Sequence, residues 1–205
     1  MKTTDLIGLK LRHATQEDIT GEITDVLFDM SLKRAGFILS DITTPRGTAP
    51  VLFSPQVLSL DEGIIVVTAH EDDILARHTT SMNRATVPVD PADLPSTFIG
   101  PFGNTFSLSM IAALFNARID GAKPEVGEDK DGVWMTELVG HAVRAHVADI
   151  GHVADMLLDD QFTRTQNVLI KTFAGEFGES PPEAFTVTRV PDGQLSVTIS
   201  QDAAA

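Results

Sequence analysis

The chain has 205 residues, of which 42% are hydrophobic and 21% are charged, so it has enough apolar material for packed cores and wholesale disorder is excluded. Its 15 Lys and Arg against 29 Asp and Glu give a net charge of −14, which disfavours nucleic acid and anionic membranes as partners and fits a basic protein partner. Without cysteine, the chain forms no disulfide, thiolate nucleophile or cysteine-ligated metal site.

The first residues do not resemble a secretory signal. Gly8, Lys10 and Arg12 interrupt the short apolar patch within residues 1–13. Elsewhere in the sequence, no stretch approaches the roughly 20 apolar residues that a membrane-spanning helix needs. We therefore expect a cytoplasmic protein without a membrane span.

Short apolar runs separated by turn residues predict β-strands in the first third of the chain. Asp61-Glu62-Gly63 is typical of a tight turn between two such runs. The runs are residues 6–11, 19–28, 36–42, 51–60 and 64–69. Five or six short strands in about 70 residues indicate a small antiparallel barrel, since closure removes exposed sheet edges.

Residues 81–132 are predicted to form a proline-rich linker that contains one short helix. Ser107 is a suitable N-cap, and residues 108–117 are apolar on nearly every side of a helix. Such a helix must be covered, either by a barrel of its own chain or by a second chain. The candidate interface residues, for a homodimer or another protein partner, are Leu108, Ile111, Leu114 and Phe115.

The last third of the chain repeats the first. A shift of 130 positions aligns six identical pairs, and the same shift without a gap aligns four more further along. The six are Gly21/Gly151, Asp25/Asp155, Leu27/Leu157, Asp29/Asp159, Arg34/Arg164 and Leu39/Leu169; the four are Val57/Val187, Gly63/Gly193, Val67/Val197 and Thr68/Thr198. Upstream, a shift of 132 aligns Leu6/Leu138, Gly8/Gly140 and Arg12/Arg144, so the first copy is predicted to have the longer loop between Arg12 and Gly21.

The repeat predicts a mainly β protein with two small antiparallel β-barrels. The first barrel occupies residues 1–80, the linker with its short helix residues 81–132, and the second barrel residues 133–205. We refer to the two barrel sequences as the first copy and the second copy.

Both copies contain a Leu-x-Gly sequence followed by a strand that opens with glycine and ends in aspartate. The two strands are residues 21–29 and 151–159. This pattern resembles the PRC-barrel family over about residues 4–70 and 134–201. The resemblance implies the barrel fold and a structural role for the motif residues, which are Gly8, Gly21, Asp25, Asp29, Gly140, Gly151, Asp155 and Asp159.

The family's known settings include the cytoplasmic domain of the photosynthetic reaction-centre H subunit and the carboxy-terminal domain of a ribosome maturation factor. In neither setting does the barrel carry a catalytic site. Because the amino-terminal elements of those proteins have no counterpart in this sequence, the resemblance implies a fold and not a specific activity.

The motif aspartates are the first candidates for chemistry. Asp25 and Asp155 stand among apolar residues on both strand phases, which predicts a bulge or burial on both sides. A buried carboxylate needs donors, and we expect backbone N–H groups of a neighbouring loop to supply them. Asp29 and Asp159 are predicted to begin turns. A catalytic carboxylate pair is the alternative.

A second candidate is the group of histidines and aspartates at residues 141–155 of the second copy. Its density is that of a metal site, but the residues straddle a predicted hairpin and the first copy lacks an equivalent group. We interpret them as solvated residues. The acidic segment 127–132 lacks side-chain oxygens at the ends of a calcium loop, so no metal is predicted there.

The sequence contains no phosphate-binding glycine loop, nucleophile elbow or helical His-Glu-x-x-His motif. We therefore expect no enzyme activity and no cofactor. The sequence favours a non-catalytic protein-interaction or assembly module. The alternative is a small-ligand or metal-ion sensor that uses the cleft between the barrels.

Overall fold

A computed structural model describes residues 1–75, 132–146, 148–190 and 194–200. These residues form a mainly β structure with two sheets, one of six and one of seven strands. Nearly all of the predicted linker, including its helix at residues 108–117, lies outside the described residues.

The first copy begins with one helical turn, which precedes six strands. The elements are α1 (Thr3–Leu6), β1 (Lys10–His13), β2 (Thr20–Asp29), β3 (Ala35–Thr44), β4 (Gly47–Phe53), a 3-10 turn (Pro55–Val57), β5 (Leu58–Asp61) and β6 (Ile64–Val67). A helical segment then begins at Glu71. The order of the strands in the sheet is β4-β3-β2-β1-β6-β5.

The second copy repeats this arrangement after one additional short strand. The elements are β7 (Gly132–Trp134), α2 (Met135–Leu138), β8 (Ala142–Ala145), β9 (Ala148–Leu158), β10 (Thr165–Thr172), β11 (Phe177–Ser180), a 3-10 turn (Pro182–Ala184), β12 (Phe185–Arg189) and β13 (Leu195–Ile199). The strand order β11-β10-β9-β8-β13-β12 is that of the first copy, while β7 pairs with β2. The shared order supports an internal duplication.

Each sheet has two ends in the described residues. The ends are β4 and β5 in the first sheet and β11 and β12 in the second, and neither sheet is closed into a barrel. The mainly β prediction is therefore confirmed, whereas closure of each copy into a barrel stays a prediction.

The structure corrects three predicted boundaries. The predicted strand at residues 6–11 is instead the end of α1, a short connection and the beginning of β1. The run at residues 51–60 is divided by the 3-10 turn at Pro55–Val57, because proline has no N–H for a sheet ladder. Gly132, which the sequence predicts as the last residue of the linker, begins β7. The predicted loop between Arg12 and Gly21 is confirmed, because β1 ends at His13 and β2 begins at Thr20.

The ungapped alignment of the later strands is wrong. Ile65 lies opposite Leu11 in a parallel ladder, and Val197 lies opposite Val143, the counterpart of Leu11. Ile65 therefore corresponds to Val197. The β3–β4 and β5–β6 hairpins of the first copy differ in length from the β10–β11 and β12–β13 hairpins of the second. The alignment of the two copies therefore changes after each hairpin. Three of the identical pairs in the ungapped alignment are therefore not structurally equivalent residues. They are the pairs that contain Val57, Val67 and Thr68.

The chain divides into two compact units that do not coincide with the two copies. Unit 1 consists of Met1–Ile7, Asp25–Gly36 and Gly132–Ala205, and unit 2 of Gly8–Thr24 and Phe37–Asp131, in each case as far as the residues are described. Each unit has its own buried apolar side chains, which stabilise it by removing apolar surface from water. Those of unit 1 include Leu6, Phe28, Met135, Leu138, Met156 and Phe162; those of unit 2 include Ile19, Ile23, Phe37, Val51, Phe53 and Ile65.

Within unit 1, the segment before the first helical turn of each copy packs against the long strand of the other copy. In the β7–β2 ladder, Trp134 lies opposite Leu27. At the corresponding place, Lys2 forms a bridge with Leu157, and the Leu158 N–H donates to the Met1 carbonyl at 2.8 Å. The relationship is reciprocal, since Trp134 occupies in the second copy the place that Lys2 occupies in the first.

The turns that follow these long strands are also in contact within unit 1. The Ala35 N–H donates to the Thr163 carbonyl at 3.2 Å, and the Thr165 N–H donates to the Lys33 carbonyl at 3.0 Å. Ala35 corresponds to Thr165 and Lys33 to Thr163, so each contact is the counterpart of the other. This is the pattern of an isologous interface, here formed between two segments of one chain.

In the part of the chain that the structure describes, no helix combines the length and the apolar character that a bilayer crossing requires.

Candidate functional site

The Asp25 carboxylate is buried and binds the second copy's helical turn. Asp25 lies in β2 with 1% of its surface exposed. Its Oδ2 accepts a bond from the Thr136 hydroxyl at 2.6 Å, and its Oδ1 accepts N–H bonds from Val26 at 2.8 Å and Thr136 at 3.3 Å. A carboxylate engaged in this way caps the first turn of α2 and satisfies a donor that the helix leaves unpaired.

The Asp155 carboxylate makes the reciprocal contact. Asp155 lies in β9 with 4% exposure, and its Oδ1 accepts N–H bonds from Thr4 at 3.1 Å and Met156 at 2.8 Å. Its Oδ2 accepts a bond from the Thr4 hydroxyl. A register shift in the β9–β10 ladder leaves Ala154 without a partner position, which confirms the bulge predicted here.

The two aspartates therefore receive donors, although not from the predicted source. Sequence reasoning expected backbone N–H groups of a neighbouring loop to supply them. Thr136 and Thr4 instead belong to the helical turn of the other copy. The two carboxylates make separate contacts with different threonines, so the contacts bring no acid–base pair together.

Gly21 and Gly151 stand where two strands approach closely. A Cβ atom at Gly21 would overlap the Asp41 carbonyl group, and a Cβ atom at Gly151 would overlap the backbone of Lys171 and Thr172. Both glycines therefore allow a close approach between paired strands, β2 with β3 and β9 with β10.

Gly8 and Gly140 end the two helical turns. Their φ angles are +91° and +83°, in the left-handed region that favours glycine. The Gly8 N–H donates to the Ile23 carbonyl and the Gly140 N–H to the Val153 carbonyl, both at 2.8 Å. These positions direct the chain from the helical turn into the following strand.

Asp29 and Asp159 lie at the ends of β2 and β9, where tight turns begin. The Asp29 Oδ1 accepts bonds from the Lys33 N–H and the Ser31 hydroxyl, both at 2.9 Å. The Asp159 Oδ1 accepts a bond from the Thr163 N–H at 2.7 Å, and its Oδ2 one from the Thr163 hydroxyl at 3.0 Å. All four motif aspartates thus accept hydrogen bonds from backbone N–H groups.

The group at residues 141–155 is dispersed. The His141 Nε2 bonds with the Leu195 carbonyl at 2.7 Å, and Asp149 pairs with Arg144 at 3.2 Å. Among the residues for which the structure gives positions, no three His, Asp or Glu side chains lie close enough together to hold a metal ion.

A shallow depression of about 600 Å³ lies on the sheet of unit 2. Four charged side chains, those of Lys10, Arg12, Glu22 and Asp41, contribute to its lining. Lys10 forms an ion pair with Glu22, and Arg12 forms one with Asp61 at 3.0 Å. Both cations that line the depression are therefore already paired with a carboxylate at the surface.

The most exposed large apolar side chains among the described residues lie at one hairpin of unit 1. Phe173 is 71% exposed and Phe177 is 66% exposed. Phe173 opens the four-residue segment that joins β10 to β11, Phe177 begins β11, and Gly175 between them has a φ of +86°. This is the geometry of a hairpin loop that closes with a left-handed glycine.

Sequence reasoning did not identify these two phenylalanines. The signal available in the sequence was a turn glycine with an aromatic residue close on each side, at residues 173–177. The interface residues predicted instead were Leu108, Ile111, Leu114 and Phe115, and they lie outside the described residues.

A comparison of the chain with protein-family models found no match, and a comparison with curated protein sequences found none either.

Proposed function

We propose that this chain is a non-catalytic protein-interaction module. In this proposal it has two PRC-barrel-like domains, at residues 1–80 and 133–205, and acts in the cytoplasm. The observation that carries the proposal is the exposure of Phe173 and Phe177 at a single hairpin. Aromatic side chains, including those of Phe, are enriched at protein interfaces, and two at one surface site favour a contact with another protein.

The motif aspartates support the non-catalytic part of the proposal. Asp25 and Asp155 are buried, and each accepts bonds from a threonine hydroxyl and from backbone N–H groups. A general acid or base needs to reach a substrate proton, whereas these oxygens already serve the folded structure. The predicted apolar helix with Leu108 and Ile111 remains a second candidate contact, with a homodimer as its predicted product.

The test is quantitative affinity purification from the native cell with the full chain and two variants. The double variant Phe173→Ser/Phe177→Ser should lose bound proteins that the wild type retains. The matched control is Leu60→Ser, which removes another exposed apolar side chain from a terminal strand, β5. If every bound protein is retained equally by all three chains, the hairpin is not an interaction site and the proposal fails.

A further inference from the structure

Phe177 belongs to a strand that ends its sheet, and Phe173 lies in the loop before that strand. β11 is the first strand in the order of the second sheet. The Thr172 N–H donates to the Glu176 carbonyl at 2.8 Å, so this pair is hydrogen-bonded across the β10–β11 ladder. Bonded and non-bonded pairs alternate in an antiparallel ladder. The backbone groups of Gly178 therefore point toward β10, and those of Phe177 and Glu179 point away from it.

The corresponding strand of the first copy lacks this property. β4 pairs with β3 as β11 pairs with β10, and the registers place Pro50 at the position of Phe177. Proline has no N–H, so β4 cannot donate a bond outward at that position. Leu52, at the position of Glu179, is only 3% exposed. Edge prolines are a common means of preventing strand addition, and the second copy does not have one here.

The charges around β11 indicate the chemistry of a partner. Glu176, Glu179 and Glu183 are exposed on the strand or beside it. Lys33 pairs with Glu183 at 3.7 Å, and the Lys171 Nζ lies 5.7 Å from the centre of the Phe177 ring. The chain as a whole carries a net charge of −14. A basic partner would be attracted to this edge, whereas a second copy of the chain would be repelled.

We propose that β11 is the docking edge for an extended, basic segment of a partner protein. The segment adds a strand to the sheet by bonding with the outward N–H and C=O groups of Phe177 and Glu179. Its Lys or Arg side chains lie against Glu176 and Glu179, and its apolar side chains contact the exposed phenylalanines. This inference rests on the proposed function and names the partner's chemistry and mode of binding.

The probe is a library of random peptides displayed on phage and selected against the full chain. We expect the selected peptides to alternate Lys or Arg with apolar residues and to lack proline. Synthetic copies of them should bind about tenfold or more weakly to Phe177→Pro, the loss expected when a central contact is removed. Binding to Leu60→Ser should be unchanged. Added salt should weaken binding, because the charges lie at the surface.

Amide hydrogen exchange reports the mode of binding directly. A bound peptide should slow exchange at Phe177 and Glu179, whose N–H groups point outward, and change Gly178 much less. Neutral or acidic peptides, equal binding to Phe177→Pro, absence of any selected peptide, or unchanged exchange at Phe177 would each overturn the proposal. So would a dimer of the chain that Phe177→Pro dissociates in sedimentation analysis, because the occupant would then be a second copy.

The two proposals fail separately. If the double phenylalanine variant loses its bound proteins while the selected peptides are not basic, the interaction function stands and the docking of a basic strand is wrong. If all three chains retain the same proteins in the affinity purification, the function proposed for the hairpin is wrong as well.

Discussion

The strands β4 and β11 occupy the same place in the two copies but present different surfaces. β4 has buried Ala49 and Leu52 on either side of Pro50. β11 and the residue before it have exposed glutamates at the two corresponding positions and Phe177 at the position of the proline. The first edge is therefore apolar, buried and partly unable to donate, whereas the second is charged, aromatic and exposed.

Unlike the end strands, the caps at Asp25 and Asp155 are alike in the two copies. Each is buried and accepts bonds from a threonine at the start of the other copy's helical turn. A change at either carboxylate leaves buried donors without a partner, so both copies retain the same residue types. At the exposed edge strand β11, a change alters the surface of the strand without disturbing the packed interior. The two copies therefore keep the residues that satisfy buried donors and differ at equivalent positions of an end strand.

The largest expected effect comes from exchanging the edge residues. Leu52→Glu should lower the free energy of unfolding by roughly 3 kcal/mol or more, since it places an unpaired charge in a buried position. Glu179→Leu, at the exposed equivalent, should change it by less than about 0.5 kcal/mol. Urea denaturation followed by circular dichroism measures both. Similar losses in the two variants would contradict the difference between the edges.

The caps should give effects of intermediate and similar size. Asp25→Ala and Asp155→Ala should each lower the free energy of unfolding by about 1–3 kcal/mol, the cost of leaving buried donors unpaired. Asn should be milder, because its amide oxygen still accepts a bond. Unchanged melting temperatures in both Ala variants would show that the carboxylates are not structural and would reopen a functional role.

The pairing of each cap with its threonine can be isolated by a double-mutant cycle. Asp155→Ala combined with Thr4→Val should cost less than the sum of the single changes, and Asp25→Ala combined with Thr136→Val should behave alike. The coupling should be about 0.5–3 kcal/mol, typical of residues in direct contact. The matched control combines Thr4→Val with Asp25→Ala, which takes one residue from each of the two pairs. Additivity in the first two pairs together with coupling in the control would refute the observed pairing.

The smallest expected effect is that of Phe177→Pro on stability. The Phe177 N–H points away from β10 and its ring is mostly exposed, so the sheet loses no ladder bond. The free energy of unfolding should stay within about 0.5 kcal/mol of the wild type in urea denaturation. A much larger loss would mean that the N–H has a partner inside the fold, and β11 would then not be an open edge.

Local patterns in the sequence predicted several features because they depend on neighbours along the chain. Apolar runs bounded by turn residues predicted β2 and β3, and the recurrence of Asp29 and Asp159 located the turns that follow the long strands. The glycines at 21 and 151 recurred in both copies, although their reason became visible only when the neighbouring strand was placed. Hairpin lengths are not encoded by such patterns, which is why the ungapped alignment failed after β3.

The sequence by itself determined that this chain is mainly β and internally duplicated, because apolar runs, turn residues and repetition are properties of residue order. Only the tertiary structure decided that Thr136 serves Asp25 and Thr4 serves Asp155, since these partners are more than a hundred residues apart. It also decided which strands lie at the two ends of each sheet. Whether an aromatic residue such as Phe177 enters a core or remains in water depends on which elements cover it, and no local pattern contains that information.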